Sequence, residues 1–384
     1  MSIIQIIILT CFFLLAYIFI FYPLLLWILS KIFEKKTIIN HSYKPPVTFI
    51  IAAHNEANYI ADAIESIYNS GYPIELLNVI VGSDGSTDNT INVLKQLQNK
   101  YNTLKVLEFN RSGKNFVINQ LIKEVETEIV MFMDADLRIK YGNLNNALNK
   151  FSDASIGCVM SSLEIIQQTN NDNVGSFGEI LYQKLETNIR IFESRIKSNV
   201  NSLGTLYGIK IKYFIAYPND LVCDDLFTIL SIVKHRKRVI FCNDSAVTEV
   251  RSKSLKGEMQ RRIRLVGGGL STLWQMKRLL MPDYGWSSFF LLSHKLSRYF
   301  SPILLISILI LTFLNDTSSL FFKVVAIAQL ILYFSALMGW LLEKIKIKFF
   351  LFRIFVFFIS MNVSFLLGII RFISGGQNSK WERI

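Results

Sequence analysis

The chain has 384 residues, a formal net charge of +12, 51% hydrophobic residues and a mean hydropathy of +0.36, which is too apolar for a wholly water-soluble protein. Its four cysteines, Cys11, Cys158, Cys223 and Cys242, form no CxxC pair, which argues against a disulfide framework or a zinc site and fits a reducing compartment. The positive charge lies beside apolar runs, so it points to a membrane surface and not to nucleic acid.

Residues 1–30 carry no charged side chain and read as a transmembrane anchor. They lack the basic start and small-residue cleavage site of a signal peptide. Lys31, Lys35 and Lys36 follow, and residues 35–284 have the mixed polarity of one sizeable globular domain. Within it, "VTFIIAA" (47–53), "NVIVGS" (78–83), "LKVLEF" (104–109) and 129–133 predict strands. Between them, Asn58–Tyr68, a segment running to Lys100 with Ser86, Thr87 and Asp88 as cap candidates, and Asn115–Glu124 predict helices. Such alternation implies an α/β fold with a mostly parallel central sheet. Further on, "ILYQKLETNIRIFESRIK" (180–197) predicts an amphipathic helix, interfacial or core-packing, and a helix opens at "CDDLF" (223–227).

The carboxyl-terminal part begins with an expected interfacial segment, 285–298, holding His294, Lys295 and Arg298. A membrane region over 299–373 contains the charge-free runs Tyr299–Asn315, Val324–Leu342 and Ile354–Ile370, and a tail, 374–384, ends the chain. With Lys344, Lys346, Lys348 and Arg353 between the last two runs, the positive-inside rule places the central domain in the cytoplasm. Four spans would leave the basic tail outside, so either the last span is re-entrant or the rule is overridden there.

In open sheets ligands bind beyond the carboxyl ends of the strands. The polar residues gather there: His54, Asn55 and Glu56 after the first strand, Asp84 after the second, Arg111 and Lys114 after the third, Asp134 and Asp136 after the fourth. No GxGxxG follows the first strand and no GxxxxGK[ST] occurs, which argues against dinucleotide and P-loop chemistry.

The segments "FIIAAHNEANYI", "IVGSDGSTDNT", "RSGKNFVIN", "FMDADLRI", "SLGTLYGIK" and "CDDL" occur in the order seen in family-2 glycosyltransferases, which the central domain resembles. "SHKLSRYFSPILL" resembles the approach to the membrane in polysaccharide-synthase-like members such as the cellulose, hyaluronan and poly-N-acetylglucosamine synthases. The resemblance implies the GT-A fold, an inverting reaction, a nucleotide-sugar donor, most simply UDP-linked, and Mg2+ or Mn2+. It implies Asp136 as metal ligand and Asp134 as a contact to the ribose or the metal shell. Asp84 would accept hydrogen bonds from the base or ribose, with Ala52 and Glu56 flanking the base, and Lys114 would reach the diphosphate or base.

Gly204 and Thr205 would line the donor-sugar and acceptor pocket. Asp225 takes the position of the catalytic base, and Asp224 orients the acceptor or caps the helix. "EMQRRIRLVGGG" (258–269) stands where processive synthases carry QxxRW; its three arginines, Arg261, Arg262 and Arg264, with Arg261 and Arg264 as the motif pair, would neutralise the departing diphosphate, and Leu265 replaces the Trp. An arginine face against anionic lipid is the bland alternative. Gly267–Gly269 suggest a tight loop or a close approach to the membrane. The expected partners are the donor, a glycan or lipid-linked acceptor and the cell membrane. The rivals are a synthase of a lipid-linked monosaccharide and a nucleotide-binding transport or scaffold protein.

Overall fold

Strand β1, Val47–Ala53, is apolar on both faces and wholly buried, as expected of a central parallel strand covered by helices on each side. In the computed structural model, which describes residues 2–384 except 168–173, 205, 252–254, 315–318, 346, 348 and 376–384, β1 is one of eight strands in a single sheet. The others are β2 (Leu77–Asp84), β3 (Leu104–Phe109), β4 (Ile129–Phe132), β5 (Leu137–Ile139), β6 (Ile156–Gln167), β7 (Tyr207–Lys210) and β8 (Arg238–Arg251). Their order is β3-β2-β1-β4-β7-β6-β8-β5. The β3-β2-β1-β4 half is parallel, matching the expected strands to within one residue at each end. Beyond β4 the sheet is mixed: β7 is antiparallel to both β4 and β6, β6 and β8 are parallel, and β5 is antiparallel to β8. The chain leaves β1 in one direction through β2 and β3, then returns to β1's other side as β4. That reversal opens a crevice at the carboxyl ends of β1 and β4, where doubly wound sheets take ligands.

Helices α3 (Ile60–Tyr68), α4 (Thr90–Lys100), α5 (Lys114–Leu121) and α6 (Asn143–Leu148) follow β1, β2, β3 and β5. Val47, Phe49, Ile51 and Ala53 of β1 pack towards Ile60, Ile64 and Ile67 of α3, while Ile50 and Ala52 pack towards Val117 and Leu121 of α5. The two-residue alternation of β1 therefore feeds two hydrophobic layers. Of the expected cap residues, Asp88 accepts the backbone N–H of Thr90 at 3.0 Å, while the Ser86 hydroxyl accepts that of Asn55 at 3.2 Å.

Helices α7 (Val174–Ile196), α8 (Asp224–Lys234) and α9 (Leu255–Gln275) join the domain to the membrane-side helices α10 (Trp286–Phe290), α11 (Ser297–Tyr299), α12 (Ser301–Leu314), α13 (Leu320–Lys344) and α14 (Phe350–Ile373). The expected amphipathic helix is α7, and it is core: Ile189 and Ile196 are buried together with Glu186, Arg190 and Glu193. The run "VGGG" is not a loop, as the sequence suggests, but the interior of α9. A β-carbon on Gly268 would stand 2.7 Å from Val222, and one on Gly269 2.5 Å from the Tyr299 hydroxyl, so close packing selects glycine there. Gly268→Leu is expected to lower stability by about 1–3 kcal/mol through overpacking, read as a reduced midpoint of thermal unfolding.

Among the described residues three helical runs are long and apolar enough to cross a membrane: Ile3–Ile32, Leu320–Leu342 and Leu351–Ile373. The first comprises α1 (Ile3–Ala16) and α2 (Tyr22–Ile32) around a π-turn, Tyr17–Phe21, next to Pro23, which lacks the N–H a regular helix would use. The run expected from Tyr299 to Asn315 differs. Its helix, Ser301–Leu314, has 14 residues, about 21 Å at 1.5 Å per residue, and meets the helical segment Trp286–Tyr299 at 54°. A bend therefore falls at the start of the second apolar run, while the last run is a continuous helix over Leu351–Ile373. The expected tail lies almost wholly outside the described residues.

Candidate active site

The β1–β4 crevice collects charged side chains because each strand there ends in a polar loop. Asp84, the last residue of β2, is fully buried, and its carboxylate accepts Arg111 Nη1 at 2.5 Å, the Ser112 N–H at 2.6 Å and the Gly113 N–H at 3.1 Å. Asp84, the residue expected to contact the nucleoside, thus fixes the loop that follows β3, leaving the half-exposed Arg111 at its surface. Gly113, at φ 94°, makes the left-handed turn that brings its N–H to Asp84. His54 Nδ1 donates to the Asp84 carbonyl at 2.8 Å, tying the β1 and β2 loops together. Ala52 and Glu56 are buried in and just after β1, and the Glu56 N–H donates to the Thr90 hydroxyl at 2.9 Å.

Lys114 opens α5 and turns back across the carboxyl end of β4. Its ammonium lies 2.9 Å from Asp134 and 3.1 Å from Asp224, so it bridges the "DAD" segment to the start of α8. Burial alone would lower the ammonium pKa, but the two carboxylates outweigh it and hold the group above its ordinary value. Lys114→Gln is expected to destabilise by about 1–3 kcal/mol, since two carboxylates lose their partner. Urea unfolding at low and high salt checks this, with the loss larger at low salt. Asp134 and Asp136 are both partly exposed and flank the buried Ala135.

Asp225 stands in the first turn of α8, with Oδ1 accepting the Leu226 N–H at 2.7 Å. The segment leading to it is pinned by Asn115, which donates to the carbonyls of Pro218 and Leu221, and by Asn119, which exchanges hydrogen bonds with the Tyr217 backbone. Gly204, at φ 63°, brings its backbone alongside: a β-carbon there would lie 3.7 Å from Asp225 Oδ2. Burial, then the neighbouring Asp224, raises the Asp225 pKa, and the Leu226 N–H, Lys295 and Lys114 offset only part of this. Thr205 lies outside the described residues. Cys223 is buried, and burial pushes its thiol up to about 12, in keeping with a packing role.

Asp225 opens onto a cavity of about 190 Å3, lined also by Gly204, Arg261, Leu265, Lys295 and Phe365. Arg261 lies 3.8 Å from Glu258, and Arg262 donates to the same carboxylate at 2.8 Å and covers the rings of Tyr182 and Phe357. Arg264, one turn on, is partly buried outside this lining. The arginine face of α9 is therefore set partly against a cavity and α14 (Phe350–Ile373), and not wholly against lipid: a β-carbon on Gly368 of α14 would lie 2.6 Å from Val266.

The sequence also missed a buried polar cluster behind this cavity. His294, Lys295 and Arg298, expected to flank a span at the membrane surface, are 1%, 7% and 3% exposed. His294 lies 2.8 Å from Glu193 and 3.2 Å from Glu186, and Lys295 donates to Asn201 at 2.6 Å. Arg298 pairs with Glu186, and the Tyr22 hydroxyl of the first apolar helix donates to Glu193 at 2.9 Å. These charges belong to the interior because opposite charges on α7 meet them. The available signal was spacing: 186, 190 and 193 share one helical face, as do 294 and 298.

Among the described residues, no three His, Cys, Asp or Glu side chains converge as a self-sufficient metal site. The donor set of Asp134 and Asp136 still suits Mg2+ or Mn2+, which retains waters and substrate phosphates and needs only one or two carboxylates.

A model described as glycosyl transferase family 2 matches residues 48–206. A beta-monoglucosyldiacylglycerol synthase from Nostoc sp. is 28% identical over 167 residues, 43% of this chain and 34% of that protein. A poly-beta-1,6-N-acetyl-D-glucosamine synthase from Staphylococcus aureus is 23% identical over 273 residues, 66% of this chain and 65% of that protein. The chain thus spans about a third of the first relative and just under two thirds of the second. Among solved structures, a mannosyltransferase from Pyrobaculum calidifontis in complex with GDP-Man and Mn2+ aligns over 96% of this chain and 99% of its own, with a TM-score of 0.70 and 20% identity. The fold is GT-A, with long apolar helices at both ends suited to crossing a membrane.

Proposed function

We propose that this chain, whose residues 48–206 match the glycosyl transferase family 2 model, is a membrane-bound inverting glycosyltransferase that moves a sugar from a nucleotide-sugar donor to a hydroxyl of a glycan or lipid-linked acceptor. The observation that carries this reading is the placement of Asp225. A carboxylate with a raised pKa, held by the Leu226 N–H and bordered by the Gly204 backbone, faces a cavity large enough for an acceptor group. On the other side of α8's first turn, Lys114, Asp134 and Asp224 form the charged end of the β1–β4 crevice, where the nucleotide would lie.

In this mechanism Asp225 accepts the proton of the acceptor hydroxyl as its oxygen attacks the anomeric carbon from the face opposite the leaving diphosphate. Asp224 is held by Lys114 and orients the start of α8. Asp84 acts through the Arg111 loop, and Ala52 and Glu56 border the base. Gly204 and Thr205 border the transferred sugar. Arg261 and Arg264 neutralise charge on the departing nucleoside diphosphate. Asp136, with Asp134 beside it, would hold Mg2+ or Mn2+, which when bound supplies Lewis-acid neutralisation of the diphosphate. The catalytic domain would face the cytoplasm, where nucleotide sugars are available.

The direct experiment presents the purified chain in nanodiscs with a panel of UDP- and GDP-sugars, with Mn2+ or Mg2+, and follows release of nucleoside diphosphate. Turnover with one donor supports the proposal; none with any donor, alone or with lipid extract, refutes it. A second reading, transfer of a single sugar to a lipid, draws on Leu265 in the cavity wall at the position of the processive synthases' Trp and on Phe365 of α14 in the same lining. Product length on one donor separates the two.

A further inference from the structure

Of the cavity's residues beside Asp225, the donor reading uses Gly204 and Arg261 and gives Arg190 and Arg298 no role. The lining does not include Asp84, Lys114, Asp134 or Asp136, so the cavity lies apart from the charged end of the crevice. Its cationic side chains are Arg190, Arg261, Arg262, Lys295 and Arg298, against the carboxylates of Glu186, Asp225 and Glu258, a surplus of two positive charges without His294. Two of these cations are inside the protein: Arg190 is 4% and Arg298 3% exposed. Glu186 holds them side by side, accepting Arg190 Nη2 at 3.2 Å on one oxygen and Arg298 Nη1 on the other.

That single carboxylate does not satisfy two guanidinium forks. Arg190 Nε and Nη1 and Arg298 Nε and Nη2 are buried and have no hydrogen-bond partner among the described residues. Unpaired buried N–H groups on charged side chains are costly, and two adjacent guanidiniums match the several oxygens of a tetrahedral oxyanion. The membrane-side helices contribute apolar surface to the remaining wall, Tyr299 from the bent segment and Phe365 from α14, while Asn201 and Ser202 add polar groups from the domain.

We propose that this cavity takes a phosphate-type anionic group of the acceptor, so that the substrate is a hydroxyl-bearing phosphate compound, with Arg190 and Arg298 as its specificity-determining residues. The inference rests on the transferase reading above. The anion seats on the two guanidiniums, and the acceptor's hydroxyl then lies against Asp225 in the same cavity. Its oxygen bonds to the anomeric carbon as the carbon–oxygen bond to the diphosphate breaks; the proton passes to Asp225 and the bonding pair leaves with the nucleoside diphosphate. Either a phospholipid headgroup or a soluble sugar or polyol phosphate has this chemistry.

The test uses the full chain in neutral phosphatidylcholine nanodiscs, with glycerol 1-phosphate and glycerol as probes. Glycerol phosphate is expected to raise the thermal unfolding midpoint and glycerol to leave it unchanged. Arg190→Gln and Arg298→Gln should each weaken glycerol phosphate binding about tenfold or more, with partial recovery in Arg298→Lys and unchanged UDP binding in all three. If phosphatidylglycerol in the nanodisc competes with glycerol phosphate, the source is a lipid headgroup; if it does not, a soluble phosphate is the acceptor. Should the Gln variants fail to fold, Arg190→Lys and Arg298→Lys carry the same comparison.

Absence of binding by both glycerol phosphate and phosphatidylglycerol, or binding undiminished in the variants, overturns the proposal. Loss of UDP binding in the Arg variants also overturns it, by placing the donor's diphosphate on Arg190 and Arg298. Failure of the transferase reading shows separately, as absence of nucleoside diphosphate release by the unaltered chain while glycerol phosphate binding stays measurable.

Discussion

Asp225→Asn is expected to reduce sugar transfer by about 10²- to 10⁴-fold, the usual contribution of a positioned general base, while the protein remains folded and binds UDP normally. Asparagine keeps the oxygen that accepts the Leu226 N–H, so the start of α8 is unchanged and only proton acceptance is lost. The rate should also carry the signature of a raised carboxylate. Burial and Asp224 disfavour the ionised form, so the acidic limb of the pH–rate profile will lie above the roughly pH 4 of a solvated aspartate.

The same shift fixes a stability effect of opposite sign. A carboxyl whose folded-state pKa is raised contributes stability that is complete below its unfolded pKa and is lost as pH rises through the folded value. At neutral pH the ionised Asp225 therefore costs stability, and Asp225→Asn should unfold at a higher temperature than the unaltered chain. The difference should shrink in acid, where the aspartate is protonated in both states. An inactive variant with a raised midpoint at pH 7 is what a base held at a cost to the fold produces. Near-normal turnover would remove Asp225 from the mechanism.

How far the sequence carries depends on the range of the interactions involved. The β3-β2-β1-β4 half was legible because each strand is a short apolar run closed by a polar loop, with a helix of clear periodicity between successive strands. The β5–β8 half was not. β5 has three residues, too few to show alternation, and β8 pairs with both β5 and β6, contacts about a hundred residues away in sequence that no local pattern specifies. Charge was the other source of error. His294, Lys295 and Arg298 were read as a surface cluster because lysine and arginine usually are; only the return of α7 with Glu186 and Glu193 makes their burial tolerable. In the candidate site, Asp225 was legible from its motif and helix start, whereas the pairing of Asp84 with Arg111 and the Lys114 bridge depend on how two loops fold over β2 and β4.

Asp136→Asn should lower Mn2+ affinity in the presence of UDP by about tenfold or more and transfer by about 10²- to 10³-fold, and the two aspartates of the pair should differ. Lys114 stands 2.9 Å from Asp134, so part of that carboxylate's negative charge is already spent within the protein. Asp134→Asn removes a ligand-side oxygen but also frees Lys114 from one of its two carboxylates, so that its ammonium, still 3.1 Å from Asp224, has donors for the diphosphate and can compensate in part. The expected order of loss is therefore Asp136→Asn greater than Asp134→Asn, both in Mn2+ binding measured by electron paramagnetic resonance with UDP and in turnover. Asp134→Asn combined with Lys114→Gln should lose what the single change keeps, because no compensating ammonium remains. If Asp134→Asn abolishes Mn2+ binding while Asp136→Asn retains it, the roles are exchanged, and the ammonium beside Asp134 must move away when nucleotide and metal bind.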